Sequence, residues 1–321
     1  MSTRIVIGLS AVVVAVTEES PHVLVTGGAD GVAGLPFGAF DPNADRTLEL
    51  SLRQWVSEQT GFEIGYVEQL YTFGDRGRES PLPDAGGSDR VISVGYLALT
   101  PDPSALGAGD WRDWYRFFPW EDWRGGRPRC IDAQIAPALA AWAETAGSPA
   151  QREDRRDRAR QAFAQGGAPW NEERALDRYE LLYEAGLAPE AARDLARLEG
   201  RTGGQALLGA GPGEPMLSDH RRILATAIGR LRAKIKYRPV VFELMPETFT
   251  LLQLQRVVEA ISGLELHKQN FRRLLERGGL VEGAGRFESQ TGGRPAQLFR
   301  FRREGLRGRT VGGVNVPAPR G

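Results

Sequence analysis

Cysteine is almost missing from this 321-residue chain. Cys130 stands alone, which excludes a disulfide framework and a cysteine-rich metal site. Histidine is nearly as scarce: His22, His220 and His267 are scattered and form no metal-ligand spacing. Lysine accounts for only 3 of the 41 basic residues, the rest being arginine. Long apolar runs are missing too. The largest, Ile5 to Val16, is too short to span a bilayer. It follows a single Arg4 and lacks a signal-peptide layout, so it reads as a buried first strand. The expectation is a cytoplasmic chain with no membrane contact. Net charge is also absent, with 41 Lys+Arg against 41 Asp+Glu. What is present, 41% hydrophobic and 26% charged residues, is the composition of a folded protein. The length suits two or three domains.

The zero hides a split. Residues 216–321 hold 20 Lys+Arg and 9 Asp+Glu, a net of +11, and residues 1–215 carry the compensating −11. Such asymmetry points to a polyanion-binding module at the C-terminal end. A solvated arginine-rich tail is the alternative, and composition leaves both open.

The first hundred residues alternate strand and helix signals. Arg4–Val16 and His22–Thr26 read as strands, followed by a Gly/Pro-rich loop, Gly31–Pro42. Thr47–Gly61 has the spacing of an amphipathic helix stopped by Gly61. Phe62–Phe73 and Arg90–Leu99 return to strand patterns around an Asp84–Asp89 loop. This is a mixed α and β pattern. Trp111, Trp114, Trp120 and Trp123 sit among Asp and Arg; a base-stacking platform is conceivable, but a buried irregular cap fits the weakly basic surroundings better. Helices are predicted over Asp132–Thr145, Pro149–Gln165, Asn171–Glu184 and Pro189–Glu199, then a Gly-rich linker to Pro215.

From Ser218 the pattern sharpens. Ser218-Asp219 is expected to cap a helix running to about Lys236. Arg238–Leu244 is strand-like. Thr250 caps Leu251–Ser262, Gly263 makes a turn, and a second helix covers Lys268–Glu276 until Gly278-Gly279. Leu280–Glu282 and Ala296–Arg302 are strand-like, with Gly283–Pro295 as a hairpin tip. Helix, turn, helix and two-stranded wing is a winged helix-turn-helix order. A recognition helix needs donors in its N-terminal half. Lys268, Gln269 and Asn270 suit base edges or phosphate, and Arg272 and Arg273 suit phosphate. Phe271, Leu274 and Leu275 would face the core. Arg294, preceded by Gly292-Gly293 and followed by Pro295 at the hairpin tip, suits a minor groove. The tail beyond Arg303 lacks periodicity and reads as disordered.

The strand, the loop Leu35-Pro36-Phe37-Gly38 and the helix ending at Gly61 resemble a Nudix domain. There a Leu-Pro-Gly-Gly-type loop precedes a helix ending Arg-Glu-aliphatic-x-Glu-Glu-x-Gly. Carboxylates at i, i+3 and i+4 share one helix face and together hold Mg²⁺ against a pyrophosphate. Anchored on Gly61, the Arg-Glu pair falls on Gln54-Trp55 and the Glu-Glu pair on Glu58-Gln59. Only Glu58 of the three metal carboxylates survives, as a vestige, and the loop from Gly38 to Gln54 is two residues longer than the motif. No metal or other cofactor is expected to be required.

Two further stretches make the likeness more specific: Thr60-Gly61 through Glu68-Gln69-Leu70-Tyr71-Thr72-Phe73-Gly74-Asp75 and on into Val91–Leu99, and Asp219-His220 through Phe249-Thr250-Leu251, Asn270-Phe271-Arg272-Arg273 and Gly293-Arg294-Pro295-Ala296. Together they resemble the Nudix-related transcriptional regulators of NAD metabolism, the NrtR family. The resemblance implies an α+β chain. A Nudix-like α/β/α sandwich would occupy residues 1–130, closed by the helix over 218–236, with a helical insertion and linker at 131–215. A winged helix would occupy 238–304 and a disordered tail 305–321. It further implies a cytoplasmic homodimeric repressor of NAD biosynthesis or salvage genes. Its partners would be a double-stranded operator and a nucleotide effector, ADP-ribose or NAD. Some members keep pyrophosphatase activity; the degenerate motif favours those without it. The alternative is a Mg²⁺-dependent hydrolase of ADP-ribose or a related nucleoside diphosphate derivative. Candidate ligand residues are Arg76 and Arg78 for the pyrophosphate, with Asp75 beside them, Tyr71 for stacking, and Glu68 for a ribose or a salt bridge. His220 invites an acid/base reading, and helix capping is the alternative.

Overall fold

The computed structural model describes residues 4–17, 19–27, 31–61, 63–78, 89–101, 110–201, 210–288 and 295–302. The first strand, β1 (Ile5–Thr17), is buried from Gly8 to Ala15 because both faces of the sheet are covered. This explains its uninterrupted apolar run, since only a two-sided core removes the polar alternation. It pairs antiparallel with β2 (Ser20–Gly27) and parallel with β6 (Arg90–Leu99). The seven-stranded sheet runs β3-β2-β1-β6-β5, where β3 is Ala33–Gly34 and β5 is Tyr66–Phe73. Two short strands join it off this path: β4 (Phe37–Ala39) on β1 and β7 (Asp110–Asp113) on β2.

Helix α1 (Leu48–Thr60) covers one face. The Thr47 hydroxyl accepts from Leu50 N–H, and Gly61 closes the helix with φ +69°. Leu52 and Val56 pack there on Leu9, Ala11, Val13, Val94 and Tyr96. Helix α6 (His220–Tyr237) covers the other face, placing Ile223 and Ile228 against Val12, Val14, Leu97 and Leu99. The domain is thus an α/β/α sandwich.

The helical stretch follows its predicted outline: a π-turn Ile131–Ile135 leading into α2 (Ala136–Glu144), then α3 (Pro149–Ala162), α4 (Ala175–Glu184) and α5 (Pro189–Leu198). It shares one hydrophobic cluster with the sheet and the C-terminal helices. Trp114 and Trp120 are fully buried within that cluster, which removes them as a base-stacking platform.

The C-terminal unit contains α7 (Leu251–Ser262), α8 (Lys268–Gly278), β8 (Val281–Glu288) and β9 (Ala296–Phe301). Arg238–Leu244 is not the expected strand. Val240–Leu244 forms a 3₁₀ turn after Pro239 that buries Val240, Val241, Phe242 and Leu244 together. Those side chains all enter the core, whereas a strand would send alternate ones outward. The first wing strand is longer than expected, to Glu288, with a bulge at Gly285 (φ +69°). The hairpin tip with Arg294, the tail beyond Arg303 and most of the Asp84–Asp89 loop lie outside the described residues.

Candidate nucleic-acid interface and ligand face

The interface begins with a well-capped helix. Thr250 N–H donates to Gln253 Oε1 at 2.7 Å, and Thr250 Oγ1 accepts Gln253 N–H at 3.1 Å, a complete capping box. The turn is buttressed from within: Glu259 Oε1 accepts Leu266 N–H at 2.8 Å, and Gln255 Nε2 donates to Leu266 O at 2.9 Å. Gly263 ends α7 at φ +70°, and a Cβ there would lie 2.3 Å from Glu121 O. Glycine is required both for the left-handed backbone and for this close approach.

Helix α8 divides cleanly. Phe271 and Leu275 are buried and Leu274 packs against the same cluster. Lys268, Gln269, Asn270, Arg272 and Arg273 are all exposed. Arg273 Nη2 donates to Asn270 Oδ1 at 3.1 Å, which aligns two of them on one face. The first turn of α8 carries no acidic residue, so its free N–H groups and positive dipole end are unopposed there. Phe301 stacks on Phe242 at 4.2 Å and ties the wing to this body.

A second group of arginines is buried. Glu121 accepts from Arg178 Nε at 2.5 Å and Nη2 at 2.8 Å, and from Arg232 Nη1 at 2.5 Å, with all three side chains fully buried. Burial opposes the Glu121 charge, but the two guanidiniums outweigh it and hold its carboxyl below the usual range. Arg232 Nε also donates to Ile261 O at 2.8 Å, and Tyr115 Oη donates to Ala260 O at 2.7 Å. This cluster therefore fastens the end of α7 to the sheet domain and the helical stretch. Sequence reading missed it. The only signal was an arginine, Arg232, beside the apolar stripe of α6.

The ligand candidates separate. Arg78 is buried, 3.0 Å from Asp219 and 3.3 Å from Glu180, with its guanidinium 3.8 Å over the Tyr183 ring. Its donors hold the β5 end to the helical stretch rather than facing a pyrophosphate. Asp75 is paired with Arg222, which lowers its pKa. Glu68 is held by Lys234 and by Tyr66 Oη at 2.7 Å, so the salt-bridge role applies. Burial works against its charge, but Lys234, Tyr66 and Arg230 keep its carboxyl below the usual range. Tyr71 is 62% exposed, while Phe73 is core. Arg76 is exposed.

Asp219 does not cap α6 through its side chain. Its carboxylate faces Arg78 and Arg222, and burial nonetheless pushes it up to about 6. His220 is neither an acid/base at the surface nor a cap. It is fully buried, and its Nδ1 accepts Leu35 N–H at 3.0 Å. Burial, reinforced by Arg193, pushes its pKa down to about 3. On α1, Glu58 accepts from Gln54 at 2.7 Å and Glu49 from Arg53 at 2.8 Å. Among the described residues no group of three or more His, Cys, Asp or Glu converges to hold a metal ion. No described helix is long and apolar enough to cross a membrane.

Residues 241–301 match the NrtR DNA-binding winged helix domain family. The ADPR responsive transcriptional repressor NtrR of Acinetobacter baylyi is 42% identical over 83 residues, a match spanning 26% of this chain and 33% of that protein. The match therefore takes in about a third of the relative's length. Among solved structures, Shewanella oneidensis NrtR complexed with a 27mer DNA superposes with TM-score 0.52 at 19% identity, covering 92% of this chain and 93% of the other. A MutT/nudix family protein from Enterococcus faecalis gives 0.52 at 17%, covering 94% and 90%. The chain thus shares, over most of its length, the fold of Shewanella oneidensis NrtR and of the Enterococcus faecalis MutT/nudix family protein, and its C-terminal segment 241–301 matches the NrtR DNA-binding winged helix.

Proposed function

We propose that the chain is a ligand-responsive, DNA-binding transcriptional repressor of NAD biosynthesis or salvage genes, with ADP-ribose as effector and NAD as the alternative. The carrying observation is α8: within the segment that matches the NrtR winged helix, it turns Lys268, Gln269, Asn270, Arg272 and Arg273 to solvent while Phe271 and Leu275 anchor it. Gln269 and Asn270 would read base edges, and Lys268, Arg272 and Arg273 would hold phosphates. Arg294 would enter the adjacent minor groove. A palindromic operator would be read by a homodimer, in the cytoplasm where the operator lies. The A. baylyi relative is named as ADPR responsive, which supports the choice of effector. Of the ligand candidates, Tyr71, Asp75 and Arg76 are exposed; Tyr71 and Arg76 would meet the nucleotide, Asp75 would position Arg222 beside them, and Glu68 and Arg78 would position the surface beneath.

The test is a fluorescence-anisotropy titration with the upstream region of NAD genes neighbouring the coding sequence, with and without ADP-ribose. Specific binding that changes with ADP-ribose is expected. Equal affinity for random and cognate duplexes would sink the repressor reading.

A further inference from the structure

In a Nudix-like domain the loop before α1 and the helix itself would close together on a divalent cation. Here the loop Leu35–Ala39 is closed differently. Two of the three positions where the motif would place metal carboxylates hold Trp55 and Gln59, and both reach the loop. Gln59 Oε1 accepts Phe37 N–H at 3.1 Å, and Gln59 Nε2 donates to Phe37 O at 2.5 Å. The Trp55 indole N–H donates to Ala39 O at 3.0 Å. Its ring lies directly over Gly38, where a Cβ would come within 2.2 Å of it. From the other side, Leu35 N–H donates to His220 at 3.0 Å, and the Phe37 ring meets the His220 ring edge-on at 5.0 Å.

These residues do not fit a divalent cation. Hard cations take several oxygen ligands, carboxylates foremost. The indole has no oxygen, the carboxamide of Gln59 is committed to Phe37 at both ends, and Glu58 is the one carboxylate left on this face.

We propose that Trp55 and Gln59 act as a side-chain latch that replaces a cation in fastening the loop to α1. A nucleoside diphosphate sugar recognised by this domain is then recognised without divalent metal. That last clause rests on the effector reading above; the latch does not.

Amide exchange at Phe37 reads the latch directly, because this N–H is donated to Gln59. In the wild-type chain its rate should be the same in EDTA and in excess Mn²⁺. In Gln59→Ala it should rise about tenfold in both media, the factor one hydrogen bond of ordinary strength supplies. Gln59 is exposed, so this variant folds. Trp55→Phe keeps a ring over Gly38 and removes only the indole donor; a smaller acceleration at Phe37 is expected. Slower exchange in Mn²⁺ than in EDTA for the wild type, or an unchanged rate in Gln59→Ala, overturns the latch. Separately, ADP-ribose should raise the wild-type melting temperature equally in EDTA and in Mg²⁺. A rise confined to Mg²⁺ overturns metal-free recognition. No rise in either medium overturns the effector reading and leaves the exchange result standing.

Discussion

Arginine is put to opposite uses in the sheet-and-helix body and in the winged helix. In the body, Arg178, Arg221 and Arg232 are fully buried and their guanidiniums are consumed by Glu121, Glu190 and backbone carbonyls. On α8, Arg272 and Arg273 are exposed. It follows that the +11 of residues 216–321 overstates what is available to a polyanion, because Arg221 and Arg232 belong to that segment and are neutralised internally. The planar five-donor fork suits both tasks: it satisfies several acceptors at once in a core, and it grips phosphate at a surface.

The largest effect should come from breaking the buried cluster. Glu121→Gln leaves two guanidiniums without a carboxylate, and removing one partner of a buried pair costs about 3–5 kcal/mol. Guanidinium chloride denaturation measures it. A loss under about 1 kcal/mol would mean that the backbone acceptors alone satisfy Arg178 and Arg232, and would erase the contrast between the two arginine sets.

Next is a pH effect at the start of α6, where neighbours titrate in opposite senses. His220, pushed down from 6.5 to about 3, stays neutral in the fold while the unfolded chain takes up a proton. Its contribution is complete above pH 6.5 and is lost as pH falls, by about 1.4 kcal/mol per pH unit. Asp219, raised from 3.8 to about 6 by burial against the pull of Arg78 and Arg222, behaves the other way. It favours the fold below its unfolded value, and that contribution is lost as pH rises toward 6. Between about pH 4 and 6 the two slopes offset. In His220→Gln the stability difference from wild type should therefore change by about 1.4 kcal/mol per pH unit over that range. A constant difference would show that His220 titrates normally.

A third substitution probes the winged helix itself. Thr250→Ala removes the hydroxyl half of the capping box and should cost about 1 kcal/mol, read as a shift in denaturation midpoint without a change in slope. An unchanged midpoint would mean that the Gln253 side chain alone suffices as a cap.

The smallest effect on stability belongs to the exposed arginines. Arg272→Ala and Arg273→Ala should each leave stability within about 0.5 kcal/mol of wild type. Each should nonetheless flatten the dependence of log K for DNA on log salt by about 0.9 for every phosphate it no longer neutralises. Gln269→Ala should instead alter sequence preference. An unchanged salt slope in both arginine variants would remove α8 as the phosphate-holding face.

Much of the fold was legible because it rests on local signals. Thr47 and Gly61, and Thr250, Gly263 and Gly279, bracket their helices as expected, since caps are fixed by the chain's own nearest backbone groups. The polar face of α8 was legible for the same reason: helical spacing separates it from Phe271 and Leu275. The run Arg238–Leu244 misled because apolar β-branched residues fit any buried slot, and no strand lay alongside to pair with it. The candidate ligand residues were the least legible. Arg78 and Asp219, or His220 and Leu35, are distant in sequence, and nothing local distinguishes an arginine that will meet solvent from one that will meet a buried carboxylate.

By itself the sequence determined the order of elements, the charge division and the loss of two metal carboxylates, because each is written in spacing or composition. Only the tertiary structure decided which charges remain for a partner. Burial in a medium of low polarity forces every enclosed arginine to find an acceptor. The folded arrangement, and not the sequence count, therefore sets which of this chain's arginines can still meet DNA.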